Sequence, residues 1–523
     1  MKKSIFSILL LFIFINAYSQ PYKLADIQYE IQGCGIPFLS TTKPYAVTQN
    51  TDLKPGKSYE LIEDFEKELE LYKTQLNNLR AFESIDIAYF LSETKNNENY
   101  TEIFVTAKIK DSLHFLCLPY GKYNSNTGTE FKLKLKDTNF LGTLNPLSSD
   151  INFSLLQKSE DKPIDFSLGA YISYDFPFKL GLFNSTWVNE DSISYTFGDS
   201  VPQWNAKTGL KLILPSDYVN YQLELYQYSI NNLDYKPFGD NLYFTEEAKF
   251  STPIELYRIE NWGKITYTPS LAVNYNWDID GIGNLQKNYS LEGPQLTVQH
   301  SLSTSKINWE NNYRKGASFN MVNNFTYNFH RNQWYPYLEF EAKGFYYFNI
   351  HDSSFFNRVG AATDILIFSY LNNFNNPDIY LQGLDTGYRL RGIRDNQYYK
   401  TTVWYAGKQT AAIVANIDLP VNVLTTNFTN KYLSYFNFDL QISPFIDFSL
   451  GYNKFTKSWF NPKDGFYSAG FEVLVYPKKW SSYIVRASLG IDVGRKFFFE
   501  YLNMDWREEV SPYEISIGLG LLY

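Results

Sequence analysis

Residues 513–523 read Tyr-Glu-Ile-Ser-Ile-Gly-Leu-Gly-Leu-Leu-Tyr. Tyr513, Ile515, Ile517, Leu519, Leu521 and Tyr523 fall on one face of an extended chain, and Glu514, Ser516, Gly518 and Gly520 on the other. A strand that is apolar outward, small or polar inward and aromatic at its end suits the closing strand of an outer-membrane β-barrel. One face then meets lipid and the other a wet lumen, so the apolar side chains need no protein core to cover them. This solvent assignment governs the reading of everything upstream.

Met1 to Ser19 carries Lys2 and Lys3, an apolar stretch from Ile5 to Ile15, and Ala17-Tyr18-Ser19 before Gln20. That layout predicts a cleaved secretory signal over residues 1–19. Beyond it no run reaches the roughly 18 apolar residues of a transmembrane helix. A mature chain that spans a membrane must therefore do so with strands.

Composition agrees. Tyr 44, Phe 42 and Trp 10 make 18% of the chain aromatic, while mean hydropathy stays at -0.32. Large apolar side chains are thus interleaved with polar ones, as lipid-facing strands and aromatic girdles require. A net charge of -8 speaks against a nucleic-acid partner, which needs a basic face. The two cysteines, Cys34 and Cys117, fit neither a redox pair nor a zinc site. No metal and no cofactor is expected.

Residues 20–112 read as a separate small α+β domain. Ile27 to Ile31 is strand-like, Pro55-Gly56 makes a turn, and Ser58 is placed to cap a helix. Leu61, Phe65, Leu69, Tyr72, Leu76 and Leu79 then repeat at helical spacing. Two alternating strands follow, at 85–91 and 103–109. This order, with Leu53-Lys54-Pro55-Gly56-Lys57-Ser58 before the helix and Leu79-Arg80-Ala81-Phe82 after it, resembles a POTRA domain, the periplasmic module that precedes certain outer-membrane barrels.

From 113 to 523 the pattern is strands, turns and polar loops, with Phe131, Leu133 and Leu135 alternating with lysines in what reads as the first strand. Roughly 410 residues at about 25 per strand and connection predict about 16 antiparallel strands. An even number puts both barrel ends on one side of the membrane, the periplasmic side if the small domain lies there.

A long loop, about 371–408, holds Gly387-Tyr388-Arg389-Leu390-Arg391-Gly392-Ile393-Arg394. In the strand that follows it, Ile413, Ala415, Ile417 and Leu419 outward put Asn416 and Asp418 inward. In the next, Leu440, Ile442, Ile446, Phe448 and Leu450 outward put Gln441, Ser443 and Asp447 inward. Period two alone therefore places two carboxylates in the lumen on adjacent strands.

This constellation resembles the BamA/TamA superfamily of outer-membrane assembly and translocation barrels, also called the bacterial surface antigen family. In that family an (V/L)RG(F/Y) motif in an extracellular loop tucks into the lumen, and its arginine contacts acidic residues on the two following strands. Leu390-Arg391-Gly392-Ile393 matches the loop motif. Asn416-Ile417-Asp418 matches the first acidic strand, with Asp for the usual Glu. Phe445-Ile446-Asp447-Phe448-Ser449 matches FxDxG, with Ser449 for Gly. Ile393 stands where the family has an aromatic residue, and there is one POTRA-like module where the essential assembly factor has several.

The resemblance implies a barrel, with its N-terminal domain in the periplasm, that inserts or translocates polypeptides, or lipids, beside or through its wall. It would do so without making or breaking a bond. Its partners would be outer-membrane lipid, a client polypeptide and periplasmic proteins held by the POTRA-like module. Gly518, Gly520 and Tyr523 in the last strand, opposite a first strand near 131–136, would form a weak seam. A passive channel or structural barrel that keeps the clamp for stability is the alternative, and an outer-membrane enzyme the third reading. Against the third, there is no GxSxG, HExxH or phosphate-loop motif, and His114, His300, His330 and His351 are scattered.

Overall fold

The computed structural model describes residues 22–92, 100–124, 128–157, 164–216, 219–259, 263–371, 384–393, 408–453, 457–462, 465–481, 483–494 and 513–519. The chain divides into two compact units. One comprises 1–115 with 138–145 and 479–482, and the other the remainder.

The first unit is built on a four-stranded sheet in the order Ser58–Tyr59, Tyr22–Gln32, Thr101–Asp111, Phe82–Leu91. Tyr22–Gln32 and Thr101–Asp111 run parallel, which a crossover of this length permits because it contains the helix Ile62–Asn78. Phe65, Tyr72 and Leu76 from that helix close a core over Leu24, Ile103 and Val105, the stripe expected of an amphipathic helix. Ser58 does not cap it. Ser58–Tyr59 instead pairs with Tyr22 and Lys23, and the helix starts after Leu61 without a side-chain cap. A second, short helix, Pro44–Gln49, has Pro at its first turn, where the missing N–H costs nothing. Cys34 and Cys117 are free thiols.

The second unit is a closed antiparallel barrel whose ring contains 21 strand segments. Three pairs of segments continue one another, because both members pair with the same neighbouring strand. Leu242–Ser251 and Ile254–Ile259 both pair with Gly263–Trp277. Ala411–Asp418 and Val421–Thr425 both pair with Phe438–Asn453, as do Ser458–Trp459 and Phe466–Pro477. Two of the breaks hold Pro253 and Pro420, which cannot donate to the ladder.

Twenty-one segments less three continuations leave eighteen staves among the described residues, two more than the 25-residue spacing implies. The excess comes from tight hairpins. Gly181-Leu182 joins Ile164–Leu180 to Phe183–Thr196, and Asn311-Asn312, at φ 51° and 62°, joins Gln295–Glu310 to Tyr313–Asn328. Positive φ at both central residues matches the right-handed twist of the flanking strands.

The ring closes between Phe115–Asn124 and Tyr513–Leu519. The first barrel strand is thus Phe115–Asn124, and the strand holding 131–136 is its neighbour. The earlier strand is obscured in sequence because Pro119 and Gly121 interrupt its alternation.

The two faces of the wall differ sharply. Ile417, Ile446, Phe471, Ile515 and Ile517 are exposed, whereas Asn416, Asp447, Ser488, Glu514 and Ser516 are buried. Apolar outside and polar inside inverts the arrangement of a water-soluble barrel.

Candidate functional site

The loop between Arg358–Tyr370 and Ala411–Asp418 is described at both ends. Leu384 and Asp385 pair antiparallel with Gln409 and Lys408, a 3-10 turn covers Thr386–Arg389, and Gly392 takes φ 86°, which only glycine adopts freely. This sharp turn delivers the Arg391 side chain to the inward face of the wall.

Arg391 is 1% exposed and heads the fully buried side chains by size. Its Nε and Nη2 donate to Asp447 Oδ2 and Oδ1 at 2.9 and 2.6 Å, and its backbone N–H donates to Oδ2 at 2.9 Å. Nη1 and Nη2 donate to Asp418 Oδ1 and Oδ2 at 2.7 and 3.4 Å. A third carboxylate, Glu472, lies 3.5 Å from Nη1, and the guanidinium carbon stacks 3.7 Å from the centre of the Phe445 ring. The planar fork suits this surround, since a bidentate carboxylate and an aromatic face both match its geometry. Desolvating a lone guanidinium would be costly, and only this number of charged acceptors offsets it.

Cross-strand register explains how the partners converge. Asp418 opposes Phe445 and Asn416 opposes Asp447. The same row then runs from Phe445 to Gly470, Gly490 and Glu514. Glycine at 470 and 490 turns the wall into a trough. A Cβ at Gly470 would stand 2.8 Å from Phe445 Cζ, one at Gly490 would stand 2.6 Å from Gly392 N, and one at Gly392 would stand 2.8 Å from Gly490 C. The loop backbone therefore lies against the strand backbone.

Two further sets of contacts hold the loop. Leu390 and Ile393 pack with Leu366, Phe368, Ala412, Val414 and Phe466, so the inward face here is apolar where the loop covers it. Arg389 reaches the other way. Its Nη2 donates to Glu341 Oε1 at 2.9 Å and its Nη1 to Asp364 Oδ2 at 3.4 Å. Lys343 lies 3.5 and 3.6 Å from the same carboxylates, and Asn416 Nδ2 donates to the Arg389 carbonyl at 2.7 Å. Arginines at positions 389 and 391 thus grip adjoining stretches of wall, Asp364 lying directly across from Asn416 and Asn416 from Asp447.

Of the residues singled out in the sequence, Leu390, Arg391, Gly392, Ile393, Asp418 and Asp447 come together. Gly518 stands apart, opposite Arg486, while Gly520, Tyr523 and Arg394 lie outside the described residues. Sequence reasoning quoted Phe445 and Arg389 within its motifs but gave them no contact, and it assigned no role to Glu472 or to the glycine pair Gly470 and Gly490. Inward parity was the available signal for Glu472 and Phe445. Nothing local marks which strands the loop will cross.

No family model and no curated protein matches this chain. Solved structures do. They include CdiB from Acinetobacter baumannii, with a TM-score of 0.49 at 11% identity over 96% of this chain and 74% of that one. CdiB from Escherichia coli follows, with a TM-score of 0.44 at 10% identity over 95% and 75%. BamA from Haemophilus ducreyi lacking POTRA domains 1-3 has a TM-score of 0.40 at 12% identity over 95% and 85%. This chain is similar to each of these along most of its length.

Proposed function

We propose that this chain is an outer-membrane barrel of the BamA/TamA superfamily that inserts or translocates polypeptides, with residues 20–112 as its periplasmic POTRA-like domain. The observation that carries the reading is Arg391, buried between Asp447 and Asp418 in a closed barrel with an apolar exterior. A loop anchored in the lumen by this many charged hydrogen bonds suits a barrel that stays sealed until a client arrives.

The chemistry needed is non-covalent: ordering of strands, exclusion of water and backbone pairing. In the first unit, Phe82–Leu91 ends the four-stranded sheet, and an edge strand can accept an extended polypeptide by backbone hydrogen bonding. That supports a client polypeptide, or a periplasmic protein, as the partner of this unit.

The experiment is reconstitution of the full mature chain into vesicles, with insertion or secretion of an unfolded outer-membrane strand protein measured for the parent and for Arg391→Ala. Client-dependent activity that falls in the variant supports the reading. Steady conductance unaffected by any client would favour the passive channel instead.

A further inference from the structure

Two turns lie at the end of the barrel opposite the Arg391 loop. Residues 350–357 join Gln333–Asn349 to Arg358–Tyr370, and residues 426–437 join Val421–Thr425 to Phe438–Asn453. Two other connections at this end need only two residues, Gly181-Leu182 and Asn311-Asn312, while 138–146 and 478–484 have nine and seven; short turns are the usual pattern there. The turns 350–357 and 426–437 have eight and twelve residues, and they display large apolar side chains. Tyr432 is 76% exposed, Phe436 66% and Phe355 60%, with Leu433 and Phe356 also exposed. Phe356 takes φ 48°, a backbone that bulky residues rarely adopt.

The two turns form one body. Thr425 N–H donates to the Ser354 carbonyl at 2.7 Å, and Asn422 Nδ2 donates to Asn357 Oδ1 at 2.6 Å. Many of their backbone groups are satisfied internally. Asn437 Oδ1 accepts the Phe428 N–H at 2.6 Å, and its Nδ2 donates to the Phe428 carbonyl at 3.1 Å. Asn430 Oδ1 accepts the Tyr432 N–H at 2.9 Å, and Lys478 Nζ donates to the Thr426 carbonyl at 2.9 Å. Internal pairing of this kind is what a segment entering a water-poor layer requires.

The apolar display also continues the outer face of the barrel. Tyr346 and Phe348 are exposed at the end of Gln333–Asn349 and lead into Ile350, while Ile446 and Ile442 lead back along the next strand to Phe436. Lys431 adjoins Tyr432 in the longer turn, and an ammonium beside such a ring suits contact with lipid phosphates.

We propose that these turns are a membrane-interface ledge, whose aromatic side chains seat in the headgroup and acyl boundary of the adjoining leaflet and whose ligand is phospholipid. The inference rests on the membrane reading above. Tyr432, an apolar ring with a polar edge, suits that boundary, Phe355, Phe356 and Phe436 suit its acyl side, and the ledge sits beneath the strands that carry Asp364, Asp418 and Asp447. It would tie their ends to the bilayer while the rest of the wall deforms.

The test uses the full mature chain with Cys34 and Cys117 changed to Ser, reconstituted in phosphatidylcholine–phosphatidylglycerol vesicles. A single bimane label is placed at Tyr432→Cys, at Phe436→Cys, or at Ile446→Cys as a strand control. Each variant is first checked for heat-modifiable gel mobility. The expected result is at least twofold quenching of the two ledge labels by lipid carrying a nitroxide near its headgroup and of the strand control by lipid carrying it mid-chain, with little quenching by aqueous iodide. Iodide quenching of the two ledge labels, with the strand control still quenched by lipid, would overturn the ledge and point to a water-facing or protein-docking surface. A strand control insensitive to nitroxide lipid would overturn the membrane reading itself.

Discussion

Arg391 and Asp447 share three hydrogen bonds, two from the guanidinium and one from the Arg391 backbone N–H, so a single carboxylate fixes both the side chain and the loop backbone. Asp447 is fully buried. Removing either partner therefore strands buried charge rather than exposing it to water.

Arg391→Ala should cost about 3 to 5 kcal/mol, the usual penalty for breaking a buried pair. Lys at this position should recover only part of it, because an ammonium lacks the planar fork. Denaturant midpoints of the reconstituted barrel measure both, and a double-mutant cycle with Asp447→Asn should show coupling above about 1 kcal/mol. Additive effects would refute the clamp.

Arg389→Ala should be milder. Its side chain is about one third exposed and Lys343 stays within 3.6 Å of both Glu341 and Asp364, leaving one uncompensated charge instead of two, so a loss of roughly 1 to 2 kcal/mol is expected. A loss equal to that of Arg391→Ala would mean the two grips are one cooperative unit.

Gly490→Ala places a methyl group against Gly392 and should cost about 1 to 3 kcal/mol by overpacking. Gly344→Ala, on another strand, meets only Thr363 Cγ2 at 3.4 Å and should be nearly neutral. Comparable thermal shifts for the two variants would count against the close approach of loop and wall.

The ring closure makes a covalent prediction. Native Cys117, exposed on the first barrel strand, should form a disulfide with one of Ile515→Cys, Ile517→Cys or Leu519→Cys under mild oxidation. With Cys117 changed to Ser, a cysteine at 131, 133 or 135, one strand farther from Tyr513–Leu519, should not pair with any of the three. Gel mobility without reductant reads the result, and loss of client insertion in the locked protein would support opening at this junction.

Some of this was legible without coordinates. Alternation has a period of two wherever a strand separates lipid from lumen, so Ile515 and Ile517 outward, Glu514 and Ser516 inward, and the inward parity of Asp418 and Asp447 are all local properties of the chain. The helix Ile62–Asn78 is equally local, since Phe65, Tyr72 and Leu76 repeat at its turn length. Parity also assigns Glu472 and Phe445 to the lumen, but it cannot say which inward residues share a level. That depends on register between strands far apart in sequence. Only the folded barrel brings Phe445, Gly470, Gly490 and Glu514 into one row and lays Gly392 across it. Ring closure is likewise non-local. Phe115–Asn124 becomes the first strand because Tyr513–Leu519 has a free edge to offer it, a fact set by the number and tilt of every strand between them.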